Sequence, residues 1–70
     1  MTTDLLGERC AFRYAGDERM TGIGWIRALY PNPDGIHIAH VVVEVERAEA
    51  GGGQAGDLVE FRIDFVRVLR

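Results

Sequence analysis

The sequence predicts an all-β domain, a small barrel of five strongly bent strands with at most one short helical turn near its N-terminus. Three observations lead there. Apolar residues alternate with polar ones in short runs, as in half-buried strands. Gly, Pro, Asn and Asp punctuate those runs at every junction. The alternation also changes parity in the middle of long runs, which is what a bulge produces in a strand that must bend around a small core.

The central hairpin carries most of this signal. Arg19 to Tyr30 and Ile36 to Glu46 are rich in Ile, Val, Trp and Tyr, which suit a pleated, half-buried surface. Between them lies Pro31-Asn32-Pro33-Asp34-Gly35. Proline fixes φ, and Gly35 is free to adopt a positive φ, so this is a turn. Gly22 and Gly24 share a face of the first arm, where missing side chains let a strand coil or a neighbour approach. In the second arm Ile36 and Ile38 share one face, and Val41, Val43 and Val45 share the other, which places a bulge between them.

Taken in order, the chain starts with Thr2, Thr3 and Asp4, residue types that cap helices. Gly7 ends that run at once, so a single turn is expected, with Leu5 and Leu6 closing one end of the barrel. Residues 9–14 alternate cleanly, with Cys10, Phe12 and Tyr14 inward, and a Gly-Asp turn follows at 15–18. After the hairpin, residues 47–57 hold four glycines and no large apolar side chain, which predicts a flexible hairpin tip. A phosphate-cradling loop would need a helix after it, and a strand follows instead. Residues 58–63 point Val59, Phe61 and Ile63 inward and Glu60 and Arg62 outward. The phase then shifts at Ile63-Asp64-Phe65, as a 3₁₀ turn would shift it, before a last strand over 66–69 with Arg67 and Arg70 outward. Five strands at roughly 9–14, 19–30, 35–46, 58–63 and 66–69 have the layout of an SH3-like barrel.

Composition narrows the function classes. Seventy residues form one domain, and a chain this short buries only about 60% of its unfolded surface. With one cysteine there is no internal disulfide, and oligomerisation is the expected source of added stability. The net charge of −3 speaks against a sequence-blind DNA coat but leaves room for a local site. All eight cations are arginines, planar forks that stack on bases or grip carboxylates in two places. No signal peptide, long apolar run or Cys/His cluster is evident, so a cytoplasmic location with no membrane, metal or cofactor is expected.

Two resemblances bear on function. Leu5-Leu6-Gly7-Glu8-Arg9-Cys10, then Gly16, then Gly22-Ile23 resembles the first motif of the Sm-like family. Phe61-Arg62-Ile63-Asp64-Phe65-Val66-Arg67-Val68-Leu69 resembles the second, with Ile63 where that motif has Gly. The resemblance implies homo-oligomeric rings in which the fourth strand of one copy pairs with the fifth of the next. It also implies single-stranded RNA bound by Tyr30, Asn32 and Arg62, a base being held between ring and guanidinium. Separately, Gly7-Glu8-Arg9, Ile23-Gly24-Trp25, Pro33-Asp34-Gly35-Ile36 and Val59-Glu60-Phe61 are similar in order to type II dihydrofolate reductases, pore enzymes of the same barrel type. Their Val-Gln-Ile-Tyr pore motif would be Val59-Glu60-Phe61-Arg62 here, without the amide and the phenol. A third reading is a protein-interaction or structural barrel of a mobile element or phage, with no nucleic acid involved.

Single residues are read beside their structural alternatives. His37 and His40 lack a third metal ligand, so one surface and one partly buried histidine are expected. Cys10 reads as a small buried hydrophobe, because no base or cation can be assigned to it. Trp25 is either core or an outward platform for a base or a partner. Glu44 and Glu46 read as a charge stripe complementing Arg62, Arg67 and Arg70 across a subunit contact. No catalytic group is assigned, and a non-enzymatic module is expected.

Overall fold

The computed structural model describes residues 5–69. The expected all-β barrel is present. Strands β1 (Arg9–Phe12), β2 (Gly22–Pro31), β3 (Ile38–Ala48), β4 (Leu58–Arg62) and β5 (Val66–Val68) form one antiparallel sheet in the order β4-β3-β2-β1-β5. β4 and β5 are the two edges, joined by a 3₁₀ turn over Ile63–Phe65. That turn lies where the sequence phase shifts. Thr2, Thr3 and Asp4 fall outside the described residues, as does Arg70. Of the two leucines expected to close the barrel, Leu5 packs on the core and Leu6 is 48% exposed.

The core consists of Cys10, Phe12, Ile26, Val41, Val43, Val45 and Phe61. Phe12, Tyr14 and Phe61 form an aromatic cluster, with centroids 4.7 Å apart for Phe12–Phe61 and 5.1 Å for Tyr14–Phe61. Gly22 lies against the Phe12 ring. Burial pushes the Cys10 thiol up to about 11, as befits a packing residue.

Three irregularities between β2 and β3 bend the sheet. The pairing skips Glu46 opposite Ile23/Gly24, Arg27 between Ile26 and Ala28, and Ala39 opposite Tyr30/Pro31. The last is the bulge expected between Ile38 and Val41. Each extra residue reverses the inward-outward alternation on its strand. Trp25 therefore points outward before Arg27, and Tyr30 points outward after it, while Ile26 and Leu29 reach the core. Ile36, expected in the strand, stands in the turn and is 70% exposed.

The glycine-rich connection is held rather than loose. The Tyr14 hydroxyl donates to the Gly52 carbonyl at 2.6 Å, and the Gly56 N–H donates to the Val45 carbonyl at 2.8 Å. The Gln54 N–H donates to the Asp57 carboxylate at 2.9 Å. Composition alone predicts flexibility here, because it cannot show a tyrosine 38 residues away reaching the turn.

Candidate nucleic-acid interface

Strand register brings Tyr30 and Arg62 onto one face of the sheet. Tyr30 pairs with His40 on β3, and His40 pairs with Arg62 on β4. Directly opposed residues of antiparallel strands point to the same side. Tyr30, His40 and Arg62 thus stand abreast on the outward face. All three are open to solvent: Tyr30 is 50% exposed, and the His40 and Arg62 side chains are 45% and 65% exposed. Without the Arg27 bulge, Tyr30 would turn into the barrel.

The geometry differs from a sandwich. Two inter-strand steps separate Tyr30 from Arg62 by about 10 Å. Stacking on both faces of one base needs about 7–8 Å. Within one copy the three side chains suit successive groups along a strand rather than a single trapped base. His40 is the member of the row that sequence reasoning missed. Its outward position follows from the parity change between Ile38 and Val41, which was the available signal.

Neighbouring groups orient the row. Arg62 lies 3.1 Å from the Asp64 carboxylate and 5.9 Å from the Phe65 ring centroid. His40 Nδ1 is 3.8 Å from Glu60. Asn32 lies in the adjoining turn, where its N–H donates to the His37 carbonyl and its carbonyl accepts from the Gly35 N–H. Its side chain makes no hydrogen bond to the described residues.

Asp34 fastens the turn. Its carboxylate accepts from the N–H groups of Ile36 at 2.8 Å and His37 at 3.1 Å, and contacts His37 Nδ1 at 3.0 Å. The His37 contact, then the backbone donors, lower its pKa from 3.8 to about 2. A lowered carboxyl pKa favours the folded turn above pH 3.8, and that support is lost as pH falls through about 2. Amide resonances of Ile36 and His37 should shift across this window, and should stay flat there in Asp34→Asn.

The other candidates are placed as follows. Trp25 is outward and half-buried, with the Arg9 and Arg27 guanidinium carbons 5.7 and 6.0 Å from its ring. Those arginines bind Glu46 at 2.7 Å and Glu44 at 3.1 Å. The ring is thus already flanked by cations. Glu44 and Glu46 thus each have an arginine partner within their own copy. Among the described residues no group of three His, Cys, Asp or Glu could hold a metal ion. No described helix is long and apolar enough to cross a membrane. No family model, curated protein or solved structure matches this chain at a significant level.

Proposed function

We propose that this protein is a non-enzymatic, homo-oligomeric binding module for single-stranded RNA, acting in the cytoplasm. The observation that carries the reading is the row Tyr30–His40–Arg62, two rings and a guanidinium abreast on an open sheet face. Rings supply sequence-tolerant stacking, and arginine supplies a phosphate or base contact. Asn32, next to the row, offers an amide to a base edge. The assembly is a ring in which the β4 edge of one copy meets the β5 edge of the next. Both edges are unpaired among the described residues, and unpaired edges are templates for strand addition.

The reading is tested by titrating labelled oligouridine and oligoadenine and following fluorescence anisotropy. The native protein should bind at least one of them. Arg62→Ala should weaken binding by about ten-fold, the loss of one charge-assisted contact. Equal affinity for native and variant would remove the row from the interface. The second reading, a protein-interaction barrel, draws on the exposed Leu58, Ile36 and Leu6, which are 66%, 70% and 48% accessible. The reductase-like reading draws on no comparable feature, since Glu60 and Arg62 stand where an amide and a phenol would be needed.

A further inference from the structure

A second surface lies away from the RNA row, across β5, β1, β2 and β3. Register places Arg67, Ala11, Ile23 and Arg47 side by side on four successive strands, all on the outward face. Arg47, Ala11 and Ile23 line an open groove of about 440 Å³, and Arg67 stands beside Ala11 in the strand register, just beyond that lining. Its apolar wall is Ala11, Met20, Ile23, Ala48 and Leu69. Glu49, at its rim, is held by two bonds from Arg19, at 2.7 and 2.8 Å. Arg9 and Arg27 are matched by Glu46 and Glu44. Arg47 and Arg67, in contrast, are exposed and have no ion-pair partner among the described residues. The chain carries net charge −3, yet one uncompensated cation, Arg47, lines this groove and another, Arg67, stands next to its Ala11 wall.

We propose that the groove docks an extended segment of a partner protein in which a large apolar side chain is flanked, two residues away on each side, by carboxylates. The spacing follows from the register. Three inter-strand steps put the Arg67 and Arg47 backbones about 14 Å apart. An extended peptide covers about 13 Å in four residues, and its side chains at i−2, i and i+2 share a face. Such a segment, crossing the strands, sets its central side chain over Ala11 and Ile23 while its carboxylates meet the two guanidinium forks, which accept them in two places. The groove suits a peptide better than a nucleic acid. No aromatic ring lines it, and the nearby Trp25 is already flanked by Arg9 and Arg27.

The test is an amide-resolved NMR titration of the full chain with acetyl-Glu-Ser-Phe-Ser-Glu-amide. Saturable shifts centred on Ala11, Ile23, Ala48 and Leu69 are expected by about 1 mM peptide. Exchanging Phe for Ala, or moving the glutamates next to Phe, should weaken binding by about ten-fold. Arg47→Glu/Arg67→Glu should abolish it while retaining a dispersed spectrum, since both side chains are exposed. No shift at that concentration, shifts centred elsewhere, or equal binding by the charge-reversed variant would overturn the proposal. So would an oligouridine that produces the same groove shifts and displaces the peptide.

Discussion

Gly24→Ala is expected to remove a large share of the stability of this domain. A Cβ at Gly24 would strike the Glu44 carbonyl and come within 2.6 Å of Val43 Cγ1. The carbonyl is backbone on the neighbouring strand, and Val43 is fully buried, so neither gives way cheaply. Overpacking of this kind costs about 3 kcal/mol. A 70-residue domain has roughly 4–10 kcal/mol in total. The urea midpoint should fall steeply, or the variant should be unfolded in buffer. Gly16→Ala is the control. Nothing lies within 4 Å of its added Cβ, so only the strain of φ 97° is felt, about 1 kcal/mol. Equal midpoints for Gly24→Ala and the native chain would show that the close approach of β2 to β3 is not needed.

Replacing Tyr30 and Arg62 together is expected to reduce oligonucleotide affinity by about 100-fold or more. Stacking of one base on an aromatic ring contributes about 1–3 kcal/mol. A contact to a charged group adds about 1.5–3 kcal/mol. The low ends sum to about 2.5 kcal/mol, close to the roughly 2.8 kcal/mol that corresponds to two decades, and the upper ends exceed it. Both side chains are at least half exposed, so Tyr30→Ala/Arg62→Ala should melt within a few degrees of the native protein. Loss of binding with retained melting assigns the effect to the surface. Retained binding would move the interface away from this row.

The fold was legible because the period-two pattern and the turn chemistry are local signals. The Ile38–Val41 parity change located the Ala39 bulge, and the phase shift at Ile63-Asp64-Phe65 located the 3₁₀ turn. Strand ends were less legible: β2 starts at Gly22 rather than near Arg19, and β3 starts at Ile38 rather than Gly35. Asp34 takes the N–H groups of Ile36 and His37 into the turn, a side-chain effect that hydrophobic periodicity does not carry. The site was partly legible. Tyr30, Asn32 and Arg62 came from resemblance, and the structure sets Tyr30 and Arg62 in register through His40 with Asn32 in the next turn. The groove lined by Arg47, with Arg67 beside it, left no trace in the sequence. It depends on cross-strand register between residues 12 to 56 positions apart, and on which glutamates the other arginines take.

The most direct test of an RNA-binding ring is the solution mass of the protein with and without an oligouridine, by light scattering on a sizing column with absorbance read at protein and nucleic-acid wavelengths. The account predicts a species several times 7.8 kDa that carries the oligonucleotide in its own peak. A 7.8 kDa monomer eluting apart from free oligonucleotide would contradict it.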